Sequence, residues 1–378
     1  MSRKGPSTIG VATFDTEKLL TDPEIHQKAR DALSRDDLQS AIKIAFSLSD
    51  KDKYTYHASS SITLEQAQQA VNAGGINGLC AWYPSAEVFQ NDEDGSERRK
   101  LEYPSPAEVQ NYISLFDPSK SGANLLKGFK ANAKKNSLQS GVAENLLAKR
   151  YVSPEAGIVV PKAKKGHANV YADFWAWSCM CLRWGGPNVM SAQTSISHAC
   201  LIIFMHHFGC VCPSYESLEI VRAVSRGRTV LDVGSGNGYW TFMLRRHGVD
   251  VVAVDNGQST WRTLWIEDTI NEDGTRYIKQ KRKGGKDDVL LMVYPVVGLE
   301  FTVSVLDAYK GDIVCVVGTQ NGNGYTGFRD EMIDSWMARE RKDFERVVQV
   351  PLPSFAGKDD ALFVFRRKQP KEGVVSNT

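Results

Sequence analysis

The chain has 378 residues and a formal charge of +2, from 46 basic against 44 acidic side chains, with 42% hydrophobic and 24% charged residues. Such a composition builds a sizeable core and excludes wholesale disorder, and the length suggests two to three domains. A charge so near zero supplies no global field toward a polyanion or a membrane surface, so any basic patch must be local.

Seven cysteines, and a start from Met1 to Pro6 that leads into no apolar run, argue against a secreted disulfide framework. A reduced cytoplasmic setting is expected, and a nuclear one is compatible with the same residues. The apolar run nearest to a membrane signal, Ala199 to Met205, is ended by His206 and His207 far short of the ~20 residues a spanning helix needs. No membrane partner is expected.

Residues 1–15 read as a flexible start, and 16–165 as a mainly helical region without internal repeats. Asp22-Pro23 opens one helix, and Ser34 to Leu38 precedes the periodic Ile42, Ile44, Ala45 and Leu48. Thr63-Leu64-Glu65-Gln66 has the form of a capping box, and the helix after it stops at Gly74-Gly75. The acidic stretch 90–97 is a loop, after which Pro104-Ser105-Pro106 introduces a helix through Val109, Tyr112, Ile113 and Leu115. Lys127 to Arg150 holds six Lys or Arg, followed by the basic run 162–166, which suits a solvated helix face and flexible linker, with a nucleic-acid or acidic-partner surface as the alternative.

Residues 166–225 read as a helical lead-in. The spacing of Tyr171, Phe174, Trp175, Trp177 and Trp184 fits a core-facing helix, although indole rings can also stack on a planar substrate. From residue 226 to 368 the texture changes. Short β-branched runs at Thr229–Val233, Val249–Val254, Val289–Val293 and Ile313–Val317 alternate with helical candidates, which predicts a doubly wound α/β fold with a mainly parallel sheet. Two further runs, Glu345–Val350 and Ala361–Arg366, are joined by a segment too short for a crossover helix, so they should pair as an antiparallel terminal hairpin. Residues 369–378 read as a flexible tail.

The first of these strands runs from Thr229 through Asp232 into Gly234-Ser235-Gly236-Asn237-Gly238, and a helix follows from Tyr239 toward Gly248. Glycines there let backbone approach a ligand closely. The second strand ends in Asp255, 17 positions after Gly238, where a carboxylate can accept both hydroxyls of a ribose. A nucleoside-containing ligand is implied. A dinucleotide fingerprint requires a third small residue at position 239, and Tyr239 occupies it, which argues against a pyrophosphate cofactor.

The pattern Asp-x-Gly-x-Gly-x-Gly from Asp232 to Gly238 resembles motif I of the class I (Rossmann-like) S-adenosylmethionine-dependent methyltransferases. The resemblance spans about Pro213 to Lys368, somewhat under half of the chain. It implies a seven-stranded sheet and S-adenosyl-L-methionine as cofactor, with S-adenosyl-L-homocysteine as product. On that pattern Asp232, Gly234, Ser235, Gly236, Asn237 and Gly238 line the methionine moiety, Asp255 holds the ribose and Asn256 lies beside the adenine. Asp268 is the expected adenine-side acid, with Glu267 and Asp273 close behind and a solvated acidic loop as the plain alternative.

The fourth strand ends at Tyr294-Pro295, where amino-group members of the family carry an Asn/Asp-Pro-Pro-aromatic signature. Only one proline and a displaced aromatic are present, so nitrogen is in doubt as the acceptor, while Tyr294 remains a candidate cofactor contact and catalytic residue. It can also be a simple strand terminator. Methyl transfer needs in-line positioning and, for some acceptors, a base. His198, His206 and His207 are candidate bases within an apolar helix, and His198 is the first choice; core histidines are the alternative. Cys179-x-Cys181 and Cys210-x-Cys212 are spaced too tightly for a structural zinc site, so buried free thiols and no metal are expected. Gly318 to Gly327 reads as a lid or a plain connection, and the basic insert 279–286 as a phosphate contact or a solvated turn.

These residues and the resemblance lead to one expectation: a methyltransferase acting on an oxygen or nitrogen of a small-molecule acceptor, with the N-terminal region selecting it. Nucleic acid is disfavoured by the charge balance. The alternatives are a protein or RNA methyltransferase, and a non-catalytic or repurposed regulatory protein that binds the same cofactor.

Overall fold

The computed structural model describes residues 6–9, 14–58, 60–74, 83, 89–91, 97–99, 103–163, 167–194, 198–298, 300–322 and 326–369. Most of the tails expected at 1–15 and 369–378 lies outside the described residues, as do the centres of the 90–97 and 318–327 loops and the end of the 162–166 run.

The main sheet contains β1 (Tyr151–Val152), β2 (Val230–Val233), β3 (Val251–Asp255), β4 (Ile270–Asn271), β5 (Val289–Val293), β6 (Ile313–Thr319), β7 (Phe344–Pro351) and β8 (Asp360–Arg367). Their spatial order is β4-β3-β2-β5-β6-β8-β7-β1. The five strands from β4 to β6 are parallel, and β8, β7 and β1 join antiparallel to their neighbours. The near-continuous Val/Ile/Leu runs of β2, β5 and β6 follow from burial on both faces. Val289, Leu291, Ile313, Cys315 and Val317 join the core on one face, whereas Leu290, Met292, Val314 and Val316 join the other.

The expected terminal hairpin is present: β8 pairs with β6 from Ile313↔Arg366 to Thr319↔Asp360, and with β7 along its other side. The expected count of seven strands is corrected to eight. Tyr151 and Val152 pair with Gln349 and Val348, and the Ser153 amide donates to the Val347 carbonyl at 2.8 Å. A two-residue strand leaves no alternation in sequence, yet it covers the otherwise open edge of β7.

One face of the sheet is covered by the short helices Gly274–Lys281, Phe301–Ala308 and Ile333–Glu340, whose Ile278, Leu306 and Trp336 share a core with Leu290 and Phe363. The other face carries the helices Val170–Cys181, Ala199–Phe208, Tyr215–Ser225 and Tyr239–Arg246 together with N-terminal helices. Tyr171, Phe174, Trp175, Trp177 and Trp184 are all buried there, and the indoles of Trp175 and Trp184 both donate to the Ser354 carbonyl at 3.0 Å. The aromatic cluster is core.

Local signals set the N-terminal helices. Asp22 and Asp37 cap Pro23–Leu33 and Leu38–Ala45, and reciprocal capping boxes at Thr63/Gln66 and Ser105/Glu108 start Leu64–Asn72 and Pro106–Ile113. Their docking is a tertiary matter. Ser7–Thr8 pairs antiparallel with Thr263–Leu264, and the rings of Phe14 and Phe46 meet Trp265 edge-on. Arg262, only 3% exposed, bonds to Asp52 at 2.6 Å and stacks 4.2 Å from the centre of the Tyr54 ring. The segment between β3 and β4 is thereby clamped by the first fifty-odd residues.

Candidate active site

In the order β3-β2-β5, the connections leave β2 in opposite directions, which is the switch point where doubly wound sheets open a crevice at the carboxyl ends of their strands. A cavity of about 900 Å³ lies there. It runs from Asp255, Asn256 and Asp273 past the turn after β2 to Tyr294, Pro295, Met205 and Cys210.

The turn is built from backbone. The Gly234 and Ser235 amides donate to the Val254 carbonyl, and the Gly238 amide closes back on the Ser235 carbonyl at 3.0 Å. Gly236 adopts φ +58 and Gly238 φ +81, in the left-handed region that side chains resist. Space is equally restrictive: a Cβ on Gly236 would stand 2.9 Å from the Trp261 ring, and one on Gly238 2.4 Å from Ile266. The concave face is therefore main chain.

Of the residues expected around a cofactor, Gly234, Ser235, Gly236, Asn237, Asp255, Asn256 and Tyr294 line the cavity. The Asp255 carboxylate accepts from the Gly236 amide at 2.9 Å and the Gly257 amide at 2.7 Å. With about four acceptor sites on an ionised carboxylate, it can still take two hydroxyls. Asn237 is mostly turned inward, its amide donating to the His207 carbonyl at 3.1 Å. Gly238 lies beneath the lining. Asp232 does too: it is 0% exposed and accepts from the Thr241 hydroxyl at 2.6 Å, while its other oxygen has no hydrogen-bond partner. Burial pushes its carboxyl up to about 7 against the Thr241 bond, with Asp255 adding to the rise.

Two expected residues stand elsewhere. Asp268 forms a bidentate pair with Arg245 at 2.8 and 2.9 Å, outside the lining, and that guanidinium holds its pKa below the usual carboxylate value. Asp273, a weaker choice from sequence, does line the cavity and caps Gly274–Lys281. It follows β4, whose Asn271 is level with Asp255. His198 caps Ala199–Phe208 through a bond from the Cys200 amide at 3.2 Å and is likewise outside the lining. His206 bonds to the His57 carbonyl, and His207 lies between Tyr56 and Thr263 and stacks on Phe46. Burial lowers the pKa of all three histidines. No described histidine lines the cavity.

Sequence reasoning missed Trp261, Met205, Phe208 and Cys210 as lining residues and Lys358 behind Tyr294. The Lys358 ammonium donates to the Tyr294 hydroxyl at 2.6 Å. Tyr294 itself takes φ +51, unusual for an aromatic residue, with its amide on the Val317 carbonyl. Nothing in sequence links positions 294 and 358. Among the described residues, no three His, Cys, Asp or Glu side chains gather as a metal site, and no helix is long and apolar enough to cross a membrane.

The residues present fit a nucleoside-sulfonium cofactor: a main-chain cradle, a carboxylate with spare acceptor capacity, and two buried lining atoms without hydrogen-bond partners, Ser235 Oγ and Trp261 Nε1. Orphaned polar atoms in a cavity wall are accounted for by a polar ligand.

No protein-family model matches the chain, and no curated protein does. Among solved structures the chain is similar to the 1,6-didemethyltoxoflavin-N1-methyltransferase of Burkholderia thailandensis, at 16% identity and TM-score 0.29, over 39% of this chain and 74% of that one. It is similar to TehB from Haemophilus influenzae at 14% and 0.28, over 40% and 61%. A third likeness, to the magnesium protoporphyrin IX methyltransferase of Synechocystis, stands at 10% and 0.28, over 69% and 97%. Each is too distant to carry an activity to this chain.

Proposed function

We propose that this chain is a class I S-adenosylmethionine-dependent methyltransferase acting on a small-molecule acceptor. The observation that carries the reading is the glycine cradle after β2 facing Asp255 across the switch point, with a large cavity continuing to Tyr294. When bound, the cofactor supplies a methyl group on a sulfonium, an electrophile that needs positioning more than activation.

The chain's own residues divide that work. Asp255 accepts the ribose hydroxyls with the lone pairs that its two amide bonds leave over. Asp273 and Asn256 face the base, and Ser235 offers its hydroxyl to the amino-acid part. Gly236 keeps the cradle free of a side chain, Gly238 leaves room for Ile266 beneath it, and Trp261 walls it on one side. Tyr294, held by Lys358 and Val317, sets the floor on which the acceptor rests. The lead-in 166–225 contributes through the Ala199–Phe208 helix, whose Met205 and Phe208 line the cavity, whereas no described residue of 16–165 is part of that lining.

Calorimetry with S-adenosylmethionine and S-adenosylhomocysteine tests the reading. Binding of both is expected, and Asp255→Ala should weaken it by about 3 kcal/mol, roughly a hundredfold. If neither binds, the proposal fails. Methyl-labelled cofactor incubated with protein and a small-molecule extract should give a labelled low-mass product, whereas label confined to RNA or protein would transfer the chain to those acceptor classes.

A further inference from the structure

A second cavity, of about 680 Å³, opens at the opposite end of the main sheet. Its lining includes Ile313, where β6 begins, and Arg366, which is level with Ile313 on β8. The cofactor cavity lies toward the other end of β6, where the Tyr294 amide meets the Val317 carbonyl. The seven residues of β6 set its two ends about 20 Å apart, too far for the cavities to share a ligand's reacting atom.

Five cations line this second cavity, Arg226, Arg228, Arg366, Arg367 and Lys368, against two carboxylates, Asp312 and Glu345. That local excess is larger than the +2 of the whole chain. Arg228 pairs with Asp312, Arg366 with Glu345 at 3.0 Å, and Arg367 with Asp343 outside the lining. No carboxylate pairs with Arg226 or Lys368 among the described residues, and the Lys368 ammonium donates to the neutral Lys342 carbonyl at 2.7 Å. Two charges are left over. The Arg228 and Arg367 guanidiniums are fixed in advance, each donating at 3.1 Å to a backbone carbonyl, of Ser225 and Gly311. The side chains of Arg228, Arg366 and Arg367 are 26, 29 and 32% exposed, so their charges act from partly desolvated positions. A concave site lined by one sign of charge focuses its field, and arginine forks match phosphate oxygens. Beside the cations, Val224, Ile313 and Val347 are buried and form an apolar wall.

We infer that this second cavity binds a phosphorylated small molecule, its phosphate among the cations and its organic body on the apolar wall. The cations converge on one cavity from the end of the Tyr215–Ser225 helix, the start of β2 and the end of β8. A nucleic-acid backbone would instead need them strung along a track. The site stands whether or not the methyltransferase reading does, because none of its residues lines the cofactor cavity.

Phenyl phosphate and inorganic phosphate are the probes, titrated into the full chain by calorimetry at fixed ionic strength. Phenyl phosphate should bind at a single site and more tightly than inorganic phosphate, since only the ester covers the apolar wall. Arg226→Gly combined with Lys368→Gln should weaken it about tenfold. Both side chains are exposed, and glycine relieves the left-handed φ of +51 at position 226, so the variant keeps its fold. Arg226→Lys combined with Lys368→Arg, which keeps both charges, should retain most of the affinity. Saturating S-adenosylhomocysteine should leave the affinity for phenyl phosphate within about twofold, because the two cavities are separate. The inference is overturned if the wild type binds neither probe, if the uncharged pair binds as well as the wild type, or if S-adenosylhomocysteine displaces the ester. A single-stranded oligoribonucleotide that binds more tightly than phenyl phosphate, and loses that affinity in the uncharged pair, overturns it in favour of a phosphodiester chain.

Discussion

The chain before Arg228 and the chain after it reach one cavity by different means. After Arg228, a single stretch from Val230 to Gly238 contains strand, turn and helix start, and Asp255 closes on it through the Gly236 amide. Before Arg228, nothing local addresses the cavity. Met205 and Phe208 arrive because their helix is gripped by Tyr56 on His207, by Asn237 and by Trp265, which donates to the His207 carbonyl at 2.6 Å. One half carries its site in consecutive residues; the other carries it in how its helices dock. A short motif tolerates distant change and fails on local change, whereas a docked surface does the reverse.

The largest expected effect tests the docking. Asp52→Ala leaves Arg262 buried and without its carboxylate, which should cost about 3 to 5 kcal/mol in urea unfolding. A cost under about 1 kcal/mol would break the view that the first half is locked onto the segment between β3 and β4. Next comes the turn itself. Gly238→Ala adds left-handed strain and a clash with Ile266, about 3 kcal/mol together, and should also weaken cofactor binding. If stability and affinity are both unchanged, the motif is not the rigid cradle described above.

A third effect depends on pH. The folded-state pKa of Asp232 is raised to about 7, so the native protein holds a proton that the unfolded chain has released between about pH 4 and 7. Its contribution is therefore fully present below about pH 4 and is lost as pH rises toward 7. Asp232→Asn should flatten that decline by an amount on the order of 1 to 3 kcal/mol in unfolding free energy measured across the range. A parallel pair of curves would show that the carboxyl is solvated after all. The smallest effect is local: Thr63→Ala removes a capping box and should cost about 1 kcal/mol with cofactor affinity unchanged. A change in affinity would mean that even this N-terminal helix is wired to the cradle.

Much of the second half was legible because its signals are short in range. Buried β-branched runs, a turn demanding positive φ, and a hairpin link too short for a helix are properties of neighbouring residues. The site was less so. Asp268 and Asp273 look alike in sequence, and only the position of Arg245 draws the first away while the helix start at Gly274 holds the second at the cavity. Tyr151 and Val152 give no alternation to read, and the need to cover β7 made them a strand. His198, His206 and His207 carry the residue type of a base, but helix capping and aromatic packing claim all three.

By itself the sequence determined an α/β half with a glycine turn, an acid at the end of its second strand, and the caps that start the N-terminal helices. Each depends on backbone geometry within a few residues, where side-chain size and φ preference act directly. Tertiary structure alone decided which acid reaches the cavity, that the first half closes its wall, and that Lys358 stands behind Tyr294 sixty-four positions earlier in the chain. Those outcomes depend on which buried groups find partners once distant segments are packed, and burial, charge pairing and orphaned polar atoms exist only in the folded chain.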